Sequence, residues 1–378
     1  MGVGGSYMKF EEPISGRRTR VTLVILSLSP LLGMESATLS LAKALARDYE
    51  VRIVLLADDG ADVPIDHVTV ESWGGRIPDW KRAVTLTRAF SHRNDPNGDV
   101  IILCGVWTAI PMLMALPKKL LAHTLIAEHS FDKGKVASCK RLAVMEAAAR
   151  RYYHRAFATV TVSESVRHDM REAGFQDRIE VIPNIVREFD SHFAEEICSG
   201  RLVTVGSLTR TKNQGLALRT LALLPEQYSL DVVGDGPERR ALERLANDLG
   251  ITERVNFRGY VENPAEFYSQ AQIVVHPSLG ETYGLVLYEA ASFGKPVVAA
   301  DRSVMAKVIP EFVPGKVAEP HPEAFASAIL SLEATPLSQR VFTDAASRRR
   351  AASRNIVKDW GSLIGDAMRS NSEMMPRV

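Results

Sequence analysis

The stretch SLGETYGLVLYEAASFGKPVV, residues 278–298, places two carboxylates around one short apolar helix. Its pattern predicts a loop, then a helix over 284–293, then a strand. Glu281 falls in the loop and Glu289 falls inside the helix. Because the helix has little polar face, we expect it to be buried. A buried carboxylate is costly unless something hydrogen-bonds it, so both glutamates are candidates for binding a ligand.

The beginning of this helix is a predicted anion site. The backbone N–H groups of residues 282–286 form a helix N-terminus, which is a natural position for a phosphate group. Two carboxylates that flank such a position match a ligand with hydroxyls at both ends of a diphosphate. The pattern therefore predicts a nucleotide sugar as ligand.

Length and composition narrow the class of protein. A chain of 378 residues is too long for one ordinary core and suits two domains. The formal net charge of +1 argues against a nucleic-acid partner. Three widely spaced cysteines form no metal-binding or disulfide pattern and predict a reducing, cytoplasmic location. Residues 1–20 lack the apolar core of a signal peptide and are predicted to be a flexible leader.

One uncharged run, residues 100–116, resembles a membrane span. Gly105 and Pro111 interrupt this run. A buried strand followed by a buried helix therefore explains it better than a span does.

Two series of alternating strands and helices follow each other along the chain. The first occupies residues 21–190 and the second 191–354, with a hinge near 184–200. Such alternation is typical of doubly wound α/β sheets, and two of them predict an interdomain cleft that binds ligand at the carboxyl ends of the strands. The final segment, 355–378, is predicted to form an amphipathic helix that either caps the second domain or crosses back to the first. The main predicted strands are 21–26, 51–56, 100–104, 125–127, 158–162, 202–205, 229–233, 255–257 and 273–275.

Motifs in the second half carry a family resemblance. In order, they are VGSLTRTKNQ (205–214), VVGDGPERRALERLANDLGI (232–251), VNFRGYV (255–261) and the segment 278–298. Over residues 201–301 their order and spacing resemble the C-terminal domain of retaining, family-four glycosyltransferases, which have the GT-B fold of two Rossmann-like domains. The first half fits more loosely, through LLGMESATLSLAKAL (31–45), AEHS (127–130), TVSESV (161–166) and VIPNIV (181–186).

The resemblance implies roles for individual residues. Glu281 would contact the hydroxyls of the donor sugar beside the reacting carbon, and Glu289 the ribose hydroxyls of the nucleotide. Lys212 would neutralise the diphosphate, Gly33 would belong to the loop that closes on it, and His129 would lie near sugar and acceptor. The first domain would bind the acceptor, the second the nucleotide sugar, and the final helix would cross back to the first domain. The implied catalytic residues are Glu281, His129 and Lys212. The implied donor-binding residues are Gly33, Arg210, Lys212, Gly259, Tyr260, Glu281, Thr282, Tyr283, Gly284, Leu285 and Glu289.

Two positions depart from the family pattern. Ser207 stands where the family commonly has an arginine, and we expect Arg210 to supply that charge. Leu32 precedes Gly33 where the family usually has paired glycines, so the backbone of this loop is less permissive.

The resemblance implies an enzyme that moves a hexose from a nucleoside diphosphate, UDP in preference to GDP, to an acceptor hydroxyl with retention of configuration. Neither a metal nor a cofactor is expected, because the leaving phosphate itself would take the acceptor's proton in a front-face attack. The acceptor is expected to be a glycan, a lipid-linked glycan or a small aglycone. The basic pairs Lys118-Lys119 and Arg150-Arg151 leave peripheral association with the inner face of a membrane open, and the sequence gives no oligomeric state.

Other functions remain open at this stage. A nucleotide-sugar epimerase or a sugar phosphorylase would share the two-domain fold, although no pyridoxal lysine is identified. A dinucleotide-dependent oxidoreductase is disfavoured because Gly234-Asp235-Gly236 lacks the third glycine of its fingerprint. A non-catalytic nucleotide-binding protein is the remaining alternative.

Overall fold

The computed structural model describes residues 18–28, 33–57, 66–73, 87, 90, 99–129, 131, 140–187, 198–302 and 304–370. Most of the predicted leader and of the predicted hinge lies outside these residues. The first strand begins at Arg20, at the end of the predicted leader.

The first domain is built on one parallel sheet. Its strands are β1 (Arg20–Ile25), β2 (Glu50–Leu55), β3 (Val68–Ser72), β4 (Asp99–Cys104), β5 (Thr124–Glu128), β6 (Ala158–Thr161) and β7 (Ile179–Val181). They lie in the order β3-β2-β1-β4-β5-β6-β7. The central strands are almost fully buried because helices cover both faces of a parallel sheet. The helices are α1 (Gly33–Leu45), α2 (Val106–Ala115), α3 (Lys118–Leu121), α4 (Lys140–Tyr152) and α5 (Glu164–Glu172).

The second domain repeats this plan. Its strands are β8 (Arg201–Val205), β9 (Ser229–Val233), β10 (Val255–Gly259), β11 (Ile273–His276), β12 (Val297–Ala300) and β13 (Gly315–Ala318). They form a parallel sheet in the order β10-β9-β8-β11-β12-β13. Its helices are α6 (Gln214–Leu223), α7 (Arg239–Asp248), α8 (Ala265–Gln270), α9 (Leu285–Ser292), α10 (Met305–Glu311) and α11 (Pro322–Ala334), and the final helix is α12 (Gln339–Arg369).

The predicted fold class, two Rossmann-like doubly wound domains, is confirmed. Each main predicted strand is present with its ends within two residues of the prediction. The uncharged run is β4 followed by α2, as predicted. Within the described ranges, no helix is both long and apolar enough to cross a membrane.

The final helix connects the two domains. It begins at Gln339, well before the predicted helix, and Arg349 near its middle donates hydrogen bonds to the carbonyls of Phe312 and Ala291 in the second domain. Its last part packs into the core of the first domain, through Ile356, Trp360, Leu363, Ile364 and Ala367. The described part of the chain therefore begins and ends in the first domain.

We expect Trp360→Ala to destabilise the first domain by about 3–5 kcal/mol, because this large side chain is only 4% exposed and its removal leaves a cavity. Urea denaturation followed by circular dichroism measures this loss. Lys358→Ala, on the exposed side of the same helix, is the control. Equal unfolding midpoints for the two variants would contradict the packing described here.

Candidate functional site

Three charged or polar side chains meet at the carboxyl ends of the second sheet. Lys212 Nζ lies 2.5 Å from Glu281 Oε1, and His276 Nε2 lies 3.0 Å from the same oxygen. The side chains of Lys212, Glu281 and His276 are 26%, 11% and 3% exposed. We call these three residues the Glu281 cluster. The sequence predicted the first two members but missed His276.

Two loops hold the Glu281 cluster together. The N–H of Leu279 donates to the carbonyl of Thr211 at 2.8 Å. Asn213 adopts a left-handed conformation, with φ 54°, and its side-chain amide donates to the carbonyl of Pro277 at 3.4 Å. These contacts join the loop after β8 to the loop after β11. The ammonium of Lys212 is thereby brought opposite the carboxylate.

The environment keeps Glu281 ionised. Burial alone acts most strongly and would raise the pKa of its carboxyl, but the hydrogen bond from His276 and the charge of Lys212 together lower the pKa well below its ordinary value. An ionised carboxylate only accepts hydrogen bonds, so His276 Nε2 carries the proton in this contact. The site thus holds a fixed anion beside a cation that is partly exposed.

The N-termini of two helices, one from each domain, lie close together. α9 begins after Gly284, whose φ of 80° a residue with a side chain would adopt only with strain. α1 begins at Gly33, and a Cβ placed there would lie 3.7 Å from the side chain of Leu285. Each helix N-terminus presents free N–H groups and partial positive charge. The arrangement can hold a diphosphate beside Lys212.

The loop that carries Glu281 is bonded to the first domain. The hydroxyl of Thr282 donates to the carbonyl of His129 at 2.7 Å, and the hydroxyl of Ser163 donates to the carbonyl of Thr282 at 2.8 Å. The side chain of Tyr283 packs against core residues of both domains. We call the two hydrogen bonds the Thr282 latch. Ser163 also caps α5, where its hydroxyl accepts a hydrogen bond from the N–H of Val166.

A second group of side chains lies near Glu289, which was itself a predicted site residue. Tyr268 donates a hydrogen bond to its carboxylate at 2.8 Å. Burial raises the pKa of Glu289, while this bond and the charge of Arg187 act in the opposite direction. Arg187 also donates to the carbonyl of Glu262 at 2.8 Å. Tyr260, which is 40% exposed, lies near both, since burial and the charge of Glu262 raise its pKa and the charge of Arg187 acts in the opposite direction. The sequence missed Arg187, since it follows a predicted hinge motif with no signal of its own.

The chain turns sharply just before Tyr260. Gly259 has a φ of 70° at a register shift between β10 and β9, and its carbonyl accepts from the N–H of Gly234 at 2.8 Å. A Cβ at Gly234 would lie 2.0 Å from the carbonyl oxygen of Gly206. The loops after β8, β9 and β10 therefore pack closely only because glycines stand at these contacts.

His129 contributes its main chain to the cleft. Its ring nitrogens are buried, in a small cavity lined by Leu41, Asn184 and Trp360 among others. Neither nitrogen has a hydrogen bond of ordinary geometry within the described part of the chain. Burial lowers the pKa of this ring to about 4, against a smaller opposite effect of Asn184. Its predicted catalytic role remains a prediction.

Arg210 lies apart from the Glu281 cluster. Its side chain is 93% exposed and its Nε is 3.6 Å from Glu238, in a groove between α6 and α7. The carbonyl of Ser207 accepts a hydrogen bond from the side chain of Gln214 at 3.1 Å. That Arg210 supplies the charge absent at Ser207 stays a prediction. Among the described residues, no group of three or more His, Cys, Asp or Glu is placed to hold a metal ion.

Two family descriptions match separate parts of the chain. "Glycosyl transferase 4-like domain" matches residues 33–185, and "Glycosyl transferases group 1" matches residues 199–349. The two matches coincide with the two parallel sheets.

Curated relatives match parts of the chain. A lipopolysaccharide core biosynthesis glycosyltransferase of Rhizobium meliloti is 33% identical over 39% of this chain, but the match spans only 45% of that relative. An alpha-1,4-N-acetyl-D-galactosaminyltransferase of Campylobacter jejuni, named for a PP-undecaprenol-linked glycan, is 26% identical over 69% of this chain and 74% of its own length.

Solved structures match nearly the whole chain. Sucrose-phosphate synthase of Thermosynechococcus elongatus has a TM-score of 0.76 at 21% identity, covering 92% of this chain and 98% of its own. HepE of Anabaena, in complex with UDP and glucose, has a TM-score of 0.69 at 20% identity, covering 94% and 100%. At these identities the likeness establishes the fold, which is GT-B. The chain belongs to the group 1 glycosyl transferases, with a glycosyl transferase 4-like domain at its N-terminal side.

Proposed function

We propose that this protein transfers a hexose from a nucleoside diphosphate to an acceptor hydroxyl with retention of configuration. The observation that carries the proposal is the Glu281 cluster, which lies just before α9, where the first residues of α1 and α9 come close to each other. A carboxylate for the hydroxyls of a sugar and positive charge for a diphosphate are thus next to each other.

In the proposed reaction, the bond from the anomeric carbon to the diphosphate oxygen breaks, and a bond to the acceptor oxygen forms on the same face. The proton of the acceptor hydroxyl passes to the leaving phosphate oxygen. Lys212 and the two helix N-termini stabilise the charge that develops on the diphosphate. Glu281 holds the sugar hydroxyls, and Glu289 holds the ribose. The positive charge for the leaving group comes from the protein, so we propose that no metal takes part.

We propose UDP as the nucleotide in preference to GDP. Several solved structures with the same fold are complexes with UDP, those of HepE and of an O-GlcNAc transferase among them. The exposed ring of Tyr260, beside Arg187 and Glu262, offers a surface for a base. A thermal-shift panel of UDP- and GDP-sugars selects the donor, because a ligand at a hundred times its Kd adds about 2.7 kcal/mol to stability.

The acceptor is proposed to be a glycan or lipid-linked glycan, with a small aglycone as the other possibility. Relatives named for lipopolysaccharide core and for a PP-undecaprenol-linked glycan support the first class. We propose that the first domain binds this acceptor, since the donor-binding residues lie mainly on the second.

Glu281→Ala should lower turnover about a hundredfold, because the sugar loses the group that positions it. The Kd of UDP should change little, since Lys212, released from its ion pair, still meets the diphosphate. Turnover is measured as UDP release and Kd by calorimetry. Glu226→Ala, an exposed carboxylate outside the site, is the control.

Wild-type turnover in Glu281→Ala would contradict the assignment and favour a nucleotide-binding protein. Conversion of the sugar with no acceptor present would favour an epimerase instead.

The Thr282 latch predicts a second effect on turnover. Thr282→Val keeps the shape of the side chain but leaves the carbonyl of His129 without its donor, whereas Thr282→Ser keeps the hydroxyl. A hydrogen bond of this kind contributes about 1 kcal/mol, so we expect turnover about fivefold lower in the valine variant alone. Hydrogen exchange of residues 279–286 should also be faster in that variant. Equal exchange in both variants would show that the latch does not hold the loop.

We also infer that one surface of the first domain contacts an anionic membrane. Trp107 and Met114, one helical face of α2, are 38% and 45% exposed, and Val144 on the adjacent α4 is 68% exposed. Basic side chains are exposed in the same region. Arg151 lies on α4, and Lys118 and Lys119 lie on α3, which directly follows α2. Apolar side chains beside basic ones match a lipid surface with anionic headgroups.

Sedimentation with vesicles tests this surface. The protein should bind phosphatidylcholine vesicles that contain phosphatidylglycerol, bind pure phosphatidylcholine weakly, and dissociate as salt is raised. Trp107→Ser with Met114→Ser should reduce binding about tenfold or more, since about 0.8 kcal/mol is lost per buried CH₂. Leu223→Ser, an exposed leucine on the second domain, is the matched control. Equal binding by all variants would exclude this surface.

A further inference from the structure

His276 is a buried histidine next to the reacting residues, and neither the family motifs nor the comparisons assign it a role. It ends β11, an inner strand of the second sheet. Its residue exposure is 2%. Its Nε2 contacts the carboxylate oxygen of Glu281 that Lys212 also contacts. Two donors therefore share one acceptor atom.

The two donors differ in how freely they can move. The ammonium of Lys212 is at the end of a flexible four-carbon chain that is 26% exposed at the cleft. The ring of His276 is fixed by the packing of the sheet. If the diphosphate takes Lys212, as the proposed function requires, Glu281 loses this contact and keeps its contact to His276. A carboxylate that is 11% exposed still needs a fixed donor of this kind.

We propose that His276 is a positioning residue that holds the carboxylate of Glu281 in place while Lys212 binds the donor diphosphate. Its role rests on the proposed function and deepens it. The electrostatics agree with this role. Burial has the largest effect on the pKa of Glu281 and raises it. Among the groups that lower this pKa, the hydrogen bond from His276 has the strongest effect, ahead of the charge of Lys212.

The order of events then follows from the contacts. Without donor, Lys212 and His276 both hold Glu281. With donor, Lys212 moves to the diphosphate, and the oxygen it leaves keeps its bond to His276 while the carboxylate faces the sugar. Lys212 cannot hold Glu281 and bind the diphosphate at the same time, so His276 holds the carboxylate while Lys212 binds the donor.

The test compares two substitutions of His276. His276→Leu fills the space without a donor, whereas the side-chain amide of His276→Gln can supply an N–H near the position of Nε2. We expect kcat for a UDP-sugar to fall about thirtyfold or more in the leucine variant and to recover to within about threefold of wild type in the glutamine variant, since misplacement by about 1 Å costs up to about a hundredfold. The Kd of UDP should stay within about twofold in both.

His123→Leu is the control, because it replaces another buried histidine, in the first domain, with the same apolar residue. It should lower the melting temperature without lowering kcat. Melting temperatures and UDP affinity are recorded for every variant, and UDP-glucose, UDP-galactose and UDP-N-acetylglucosamine serve as donors. If the leucine variant does not fold, a crystal structure of the glutamine variant with UDP shows whether the amide holds Glu281 while Lys212 meets the diphosphate.

Three results would overturn the proposal. The first is wild-type kcat in the leucine variant. The second is an equal loss in the leucine and glutamine variants, which would indicate a packing role. The third is a loss confined to UDP affinity. Failure of the proposed function has a different signature, because the wild-type protein itself would then neither bind UDP nor consume any of the three donors.

Discussion

A nearly buried carboxylate is the constraint on which the rest of the site depends. With 11% of its side chain exposed, Glu281 cannot be ionised without partners. The partners come from different strands: His276 ends β11, and Lys212 follows β8. β8 and β11 are neighbours at the point where the strand order reverses, so the topology brings their following loops together. The order of the strands therefore determines which charged side chains meet at Glu281.

Glycines allow the loops around the site to pack closely. Gly234 and Gly284 each stand where a Cβ would strain or collide, one between neighbouring loops and one at the beginning of α9. Gly33, at the beginning of α1, lies close to Leu285, the first residue of α9. Backbone N–H groups can approach a ligand closely where no side chain intervenes. The positive character of the cleft thus comes from backbone as well as from Lys212.

The inner strands could be predicted because each is a continuous apolar run between helices. Lys212 and Glu281 could be singled out because each lies in a motif that resembles one of the family, in segments 205–214 and 278–298, but their direct contact was not predicted. The unpredicted strands β3, β7 and β13 lie at sheet edges and are only partly buried, so their patterns are weak. The first half of α12 is rich in arginine and shows no apolar stripe. His276 was missed because a histidine at the end of a buried strand has the same pattern as a structural residue.

The Thr282 latch links the two halves of the molecule through the same few residues. Thr282 stands between Glu281, which faces the proposed sugar, and Tyr283, which packs on both cores. Opening the domains must break the bond to His129 and so loosen the residue next to the carboxylate. The carboxylate is consequently well placed only when the first domain is against the second. In the proposed reaction, the same closure would exclude water and complete the donor and acceptor halves of the site in one step.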